Sequence, residues 1–464
     1  MHSLRSTIRP HLVIEYLFML GIIAALVHMT VFFVDNGYLR QPFFYEPSGT
    51  WMDWYSLSVF GRQEGAYDIN GTIYPPLSFV IMGIFGFDGC YESNFSEQVR
   101  YCDWLGMVFI CATYLIAVVL TFVHFYKFDR TTFFPRAFAI AFGFPMLYGF
   151  ERGNTVILAY IFYLLAFGYL IKSARLRWIC AAMVVNLKVY MIAAILTPLV
   201  RRRWRAVEGM LIAIVLVYLI SWQVLGEGSP AQVIRNLTIY SGGFGAQRLL
   251  DLWFSSSLVP LRTLMESEFP LFTAFSLQQV ELIWLFAVGL TYFSQGLMVT
   301  ALAATWVRPE VVPTYRIIFF GALIALSTKE AGGYTEIFLL MSIFMERWRG
   351  YLRPAAILLA YIACIPDDWI FKIGTPPFVR DSFLGNREVI AEYGIGPLSL
   401  ARPVFMLIIG ILLAWLTIKD VWADIRNQGW AGRWRFRRDA ALLPGVAAPR
   451  REERGEGQLK RQQD

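Results

Sequence analysis

Charge is scarce in this chain, histidine is scarcer, and the common metal and nucleotide signatures are missing. Asp, Glu, Lys and Arg make up only 16% of the residues, where a soluble domain carries about 25%, which speaks against an ordinary water-soluble fold. The 4 histidines, His2, His11, His28 and His124, are scattered. With no CxxC and no HExxH, the sequence offers no strong metal site of its own. No Walker or Rossmann glycine loop is present, which argues against direct use of ATP or a dinucleotide. No small-x-small cleavage site follows the first apolar run, so Val13–Val34 reads as a retained helix rather than a signal peptide. No short-period internal repeat is visible.

What fills the sequence instead is hydrocarbon. Of 464 residues, 57% are hydrophobic and 16% aromatic, and the mean hydropathy is +0.51. The apolar residues collect in runs such as Val13–Val34 and Leu105–Val123, near the roughly 20 residues needed to cross a bilayer. The fold class expected is therefore all-α and polytopic, an integral membrane protein with about 11–12 membrane segments. Residues 1–418 form the membrane unit, and 419–464 a polar, basic, partly disordered tail.

Lys and Arg set the orientation, because short cytoplasmic loops hold them in excess. Lys127, Arg130 and Arg136 make one basic loop, Lys172, Arg175 and Arg177 another, and Arg201-Arg202-Arg203-Trp204-Arg205 the strongest. Arg308 with Arg316, Arg347 to Arg353, and the tail arginines continue the series. With these and both termini inside, the loops 35–102, 226–282 and 367–402 lie outside. The net charge of +7 then serves retention and anionic-lipid contact, not nucleic-acid binding.

Several segments are too short to span. Thr72–Phe87 reads as a helix in the outer interface. Ala137–Tyr148 leads outward to the polar break Glu151-Arg152-Gly153-Asn154. Trp178–Pro198 begins and ends between basic loops, which predicts a broken or re-entrant hairpin with Lys188 near its apex. Ser327 to Tyr334 makes a second polar break, and Ile239 to Gly245 a flexible turn. Cys111, Cys180 and Cys364 lie in apolar runs and read as small buried residues. Cys90 and Cys102 flank a polar outer segment, where a loop disulfide is expected.

Two residues stand out chemically. Lys188 lies about ten residues from basic flanks on either side, too deep to snorkel easily, and a buried cation asks for a carboxylate or a ligand phosphate. Asp53 stands among Trp51, Trp54 and Tyr55. Carboxylates beside aromatic faces suit sugars, and a carboxylate can take a hydroxyl proton as general base. Asp35, Glu46, Glu64 and Asp68 compete with it for that role.

The order of these features resembles that of GT-C superfamily glycosyltransferases. It is most similar to the polyprenyl-phosphate-dependent mannosyltransferase-like family that includes phosphatidylinositol mannoside α-1,2-mannosyltransferases. Asp53-Trp54-Tyr55 and Tyr74-Pro75-Pro76-Leu77 match its first outer loop. Gly153-Asn154, Lys188 and Arg202-Arg203-Trp204-Arg205 match the later steps. Glu151 and Arg152 stand where that family usually has Gly-Gln, and Val189 where it has Pro; Lys329, Glu330 and Tyr334 occupy a break that often carries histidine.

The resemblance implies a GT-C-type bundle whose long first outer loop carries juxtamembrane helices. It implies a polyprenyl-phosphate hexose donor, mannose-like, with its phosphate near Lys188, Arg152 and Asn154. Trp54, Tyr55, Tyr74, Lys329, Glu330 and Tyr334 are then the sugar- or acceptor-facing residues. Asp53 would deprotonate a lipid- or glycan-linked acceptor hydroxyl that attacks the anomeric carbon with inversion. No cofactor is required, although a divalent ion between phosphate and Asp68 or Glu64 is an open alternative. The place expected is a bacterial inner membrane, with the site facing the periplasm. The rival readings are a lipid-linked glycan polymerase or ligase, and a secondary transporter or flippase.

Overall fold

Residues 10–43, 47–92, 96–240, 255–266, 276–327, 331–372, 377–382, 387–392 and 394–430 are described by a computed structural model. The chain opens with helix α1 (Pro10–Asn36). The first long loop follows, with α2 (Met52–Phe60), α3 (Pro76–Ile84) and α4 (Ser96–Cys102), and then α5 (Trp104–Phe128). Next come α6 (Phe133–Ala141), α7 (Phe144–Glu151), α8 (Val156–Phe167), α9 (Ala174–Leu187), α10 (Leu196–Val200), α11 (Trp204–Leu225) and α12 (Pro230–Ile239). After α13 (Leu258–Glu266) the order is α14 (Leu277–Val307), α15 (Thr314–Leu326), α16 (Glu336–Ile343), α17 (Leu352–Ala363) and α18 (Leu398–Gln428).

Length and exposure divide the helices into two sets. Among the described residues, 6 helical stretches are long and apolar enough to cross a membrane: α1, α5, α6 with α7, α11, α14 and α18. Leu17, Leu115, Ile220 and Phe286, on four of them, are each more than 60% exposed. Apolar surface on that scale suits hydrocarbon rather than water, and the chain is an integral membrane protein. The shorter α8, α15 and α16 lie among the others with most of their side chains buried. Their all-round apolar composition follows from having no solvent face.

Two buried arginines inside this bundle are paired with carboxylates. Glu15 of α1 is fully buried and accepts from Arg136 Nη2 at 2.7 Å, from the Tyr361 hydroxyl at 2.9 Å, and from Trp348 Nε1. Arg316 reaches both oxygens of Glu346, at 2.7 and 2.8 Å. Sequence patterning had placed Arg136 and Arg316 in exposed basic loops. Both are instead buried in helices α6 and α15, because a carboxylate far away in sequence offsets the cost of burying each one.

The helix breaks also differ in detail from the sequence reading. The run Ala137–Tyr148 belongs to two helices, α6 and α7, parted at Phe142 and Gly143. A Cβ on Gly143 would lie 2.1 Å from the Ala139 carbonyl oxygen and 2.9 Å from Cys364 Cβ, so only glycine fits there. The opening lets the Phe144 N–H donate to the Cys364 carbonyl at 2.8 Å. Helix α9 ends at Leu187, Lys188 is extended (φ −139°, ψ 94°), and the chain resumes as a 3-10 turn over Val189–Ile195 before α10.

The loop 367–402 adds strands to an otherwise helical reading. β1 (Phe371–Lys372) pairs with β4 (Gly394–Ile395), and β2 (Phe378–Asp381) with β3 (Glu388–Ala391), both antiparallel. Along β3 exposed and buried residues alternate, and Val389 and Ala391 cluster with Tyr38. Four residues of alternation are too few to stand out from the helical signals around them.

The first loop is braced at its end by Asp103, the N-cap of α5. Its Oδ1 accepts from the Gly106 N–H at 3.1 Å and its Oδ2 from the Tyr91 hydroxyl at 2.6 Å. Cys90 and Cys102 form a disulfide beside it, with Cα atoms 5.7 Å apart.

Candidate active site

Two left-handed residues lock the first loop onto the α7–α8 turn. Trp51, the N-cap of α2, has φ 62° and ψ 13°; Gly153 has φ +63°. A Cβ on Gly153 would lie 3.0 Å from Trp51 Cα, so the close approach requires glycine there. The left-handed conformation is uncommon for a residue other than glycine and costs on the order of 1–3 kcal/mol, and such strain gathers at functional sites. Across the contact the Trp51 N–H donates to the Glu151 carbonyl at 2.8 Å, and the Asp53 N–H to the Arg152 carbonyl at 3.0 Å.

That backbone pairing sets the side chains. Arg152 Nη2 donates to Asp53 Oδ1 at 2.8 Å while its Nη1 donates to the Gly49 carbonyl at 3.0 Å. Asn154 Nδ2 donates to Asp53 Oδ2 at 2.6 Å and to the Tyr74 hydroxyl at 3.2 Å. The Asn154 carbonyl accepts from the Val156 N–H at 2.9 Å, in the first turn of α8. This fixes which end of the amide faces the carboxylate. The Asp53 side chain stays 20% exposed, and a carboxylate offers about four acceptor positions, so two remain for a ligand.

Lys188 lies on the far side of Tyr74. Its Nζ is 3.4 Å from the Tyr74 hydroxyl, 4.5 Å from the centre of that ring and 5.5 Å from the centre of Tyr334. The residue is buried. Among the described residues, no carboxylate ion pair with Lys188 is found, and the aromatic faces supply its stabilisation. Tyr334 is placed by a tilted contact with Tyr148, ring centres 5.7 Å apart.

Tyr74 owes its position to helix α12, which the sequence reading left without a role. Asn236 Nδ2 donates to the carbonyls of Tyr67 and Thr72 at 2.8 and 2.9 Å, and the Tyr67 hydroxyl to the Tyr74 carbonyl at 2.7 Å. Gln232, one helical turn before Asn236, and the adjacent Arg235 each reach Asp68 at 2.7 Å. Hydrogen bonds from Arg235 and then Gln232 hold the Asp68 carboxyl below its ordinary value. Nothing local marks Asn236 in advance, since its partners lie 164 and 169 residues away.

The structure thus brings Asp53, Arg152, Asn154, Tyr74, Lys188 and Tyr334 together. It separates Tyr55 from them, correcting the expectation that this ring faces sugar, whereas Trp54 lines a small pocket with Gly153 and Asn154. Trp54 is buried with its ring centre 5.0 Å from that of Phe109, and the Tyr55 hydroxyl donates to the Asp103 carbonyl at 3.2 Å. On a helix, successive residues turn by about 100°, so Tyr55, two residues on from Asp53, cannot share its face. Asp68 is committed to α12, and Glu64 is exposed. Lys329 and Glu330 lie outside the described residues, as do 241–245 of the expected flexible turn and the tail from 431 onward. Among the described residues, no group of three or more His, Cys, Asp and Glu side chains could hold a metal ion.

Comparison of the chain with protein-family models, with curated proteins and with solved structures finds no match.

Proposed function

We propose that this is a membrane glycosyltransferase of GT-C type, which moves a mannose-like hexose from a polyprenyl-phosphate donor to a hydroxyl of a lipid- or glycan-linked acceptor. The observation that carries the reading is the separation of two opposite charges by one bridge. Among the described residues, hydrogen bonds connect Asp53 to the buried Lys188 through Tyr74, with Asn154 between the carboxylate and the tyrosine. A carboxylate open to solution and a cation held deeper suit an acceptor on one side and a lipid phosphate on the other.

Asp53 takes the acceptor proton in this mechanism. Arg152 and Asn154 hold its two oxygens so that a free lone pair of the ionised carboxylate meets the incoming hydroxyl. The acceptor oxygen forms its bond to the anomeric carbon as the bond from that carbon to the phosphate oxygen breaks, which inverts the centre. The electron pair leaves with the prenyl phosphate, where Lys188 offsets the developing charge in a site largely closed to water. No nucleotide is needed, because the sugar arrives already activated. In this reading the basic loops and both termini are cytoplasmic, and the site faces outward from a bacterial inner membrane.

The test is sugar transfer by purified protein, using radiolabelled polyprenyl-phosphate sugars and crude envelope lipid. Asp53→Asn keeps the shape and removes the base, so turnover should fall by about 10²–10⁴-fold while the donor still binds. Undiminished turnover would remove Asp53 from the reaction. Unchanged movement of donor across a vesicle wall without transfer would favour the flippase reading instead.

A further inference from the structure

Among the described residues, the Tyr190 hydroxyl has nothing to donate to. Tyr190 lies two residues beyond Lys188, in the 3-10 turn Val189–Ile195. Its ring is half-buried, but the oxygen is enclosed and has no hydrogen-bond partner among the described residues. Leaving a hydroxyl buried and unpaired is costly, and a native protein does so rarely. The Tyr74 hydroxyl is close enough to be felt electrostatically, yet it cannot satisfy Tyr190. A hydroxyl has two acceptor positions, and at Tyr74 these face Asn154 Nδ2 at 3.2 Å and Lys188 Nζ at 3.4 Å.

The group as a whole has donors to spare. Lys188 brings three N–H donors and accepts nothing. Tyr74 and Tyr190 each bring an O–H. Among the described residues, the carboxylate that acts on Lys188 is Asp53, which has Arg152 on one oxygen and Asn154 on the other. An excess of donors around a buried cation fits an anion with several oxygens, for which charge-assisted hydrogen bonds are the strong ones.

We propose that Tyr190 is a phosphate-binding residue, its hydroxyl donating with Lys188 and Tyr74 to the phosphate of a prenyl-linked ligand. This rests on the reading of Lys188 given above. As the bond between sugar and phosphate oxygen breaks and the phosphate gains charge, the Tyr190 bond strengthens with it.

Full-length protein in detergent is titrated with farnesyl phosphate, with farnesol and with inorganic phosphate, following tryptophan fluorescence. Tyr190→Phe removes one oxygen and keeps the ring. It should weaken farnesyl phosphate roughly tenfold, as one hydrogen bond to a charged group implies, and leave farnesol unchanged. Lys188→Gln should weaken it further, and the double variant by less than the product of the two. The melting temperature of unliganded Tyr190→Phe should stay level or rise, since an unpaired hydroxyl has been removed. Inorganic phosphate binding comparably to farnesyl phosphate would support the anion site and assign it to free phosphate. Farnesyl phosphate binding that weakens in Lys188→Gln but not in Tyr190→Phe overturns the Tyr190 role and leaves the Lys188 reading standing. No preference of the wild type for either phosphate over farnesol overturns both. A lower melting temperature for Tyr190→Phe, with farnesol weakened equally, makes the hydroxyl structural and also overturns the proposal.

Discussion

Arg152 and Asp53 hold each other twice: the Asp53 N–H donates to the Arg152 carbonyl at 3.0 Å, and Arg152 Nη2 returns a bond to Asp53 Oδ1 at 2.8 Å. The backbone bond sets the register of the first loop on the α7–α8 turn, and the ion pair then aims the carboxylate. Positioning and charge balance thus come from one residue.

Replacing that residue by lysine keeps the charge and loses the fork. Arg152 serves the Gly49 carbonyl and Asp53 from two different nitrogens, which a single ammonium cannot reproduce in the same geometry. Arg152→Lys should lower kcat by about 10–100-fold, the equivalent of one hydrogen bond to a charged group. KM for the donor should change little, since the proposed mechanism gives the phosphate to Lys188 and not to Arg152. Steady-state transfer kinetics of the two proteins check this split.

Gly153→Ala tests the lock itself. The added Cβ would stand 3.0 Å from Trp51 Cα at a φ of +63°, so backbone strain adds to a contact with backbone that cannot swing away. A loss of about 1–3 kcal/mol is expected, read as an earlier unfolding midpoint in detergent. Activity should fall too, because the Asp53–Arg152 register moves with it.

The disulfide closes a short loop beside the Asp103 brace. Cys90→Ser should cost about 2–3 kcal/mol, as loops of this size typically do. The double variant with Cys102→Ser should cost no more than the single one, because either change removes the same bond. Thermal unfolding with and without reductant measures it, and the wild type should fall to the level of the variant on reduction.

Asp68 gives the first loop a pH dependence of known sign. Hydrogen bonds from Arg235 and Gln232 hold its carboxyl below the usual 3.8 in the folded protein. A group depressed in this way adds stability that is present above its unfolded value and lost as the pH falls through the folded one. The attachment of α12 to the first loop should therefore loosen only below about pH 4. Asp68→Asn should flatten the acid limb of the unfolding midpoint and change little at neutral pH.

Much of the membrane character was legible from composition alone, because crossing hydrocarbon is a demand met within each segment. Apolar runs of sufficient length mark α1, α5, α11, α14 and α18 without knowledge of their neighbours. The interruption at Lys188 was legible for the same reason, as a cation stranded in an apolar run. Tyr55 misled because an aromatic residue near a carboxylate in sequence looks like its companion, while a helix turns it away. The strands β2 and β3 escaped notice because their pattern spans only a few residues and their partner, Tyr38, is far off in the chain.

The sequence by itself determined that this protein lives in a membrane, which stretches are apolar enough to lie in it, and which ionisable residues are hard to explain there. Only the tertiary structure decided which of those residues meet. Arg152 reaches Asp53 across 99 residues and Lys188 reaches Tyr74 across 114, and Glu15 absorbs the charge of an Arg136 that read as a loop residue. Hydrophobicity is a property each residue brings with it; the partner that makes a buried charge tolerable is supplied by packing, and no local pattern encodes it.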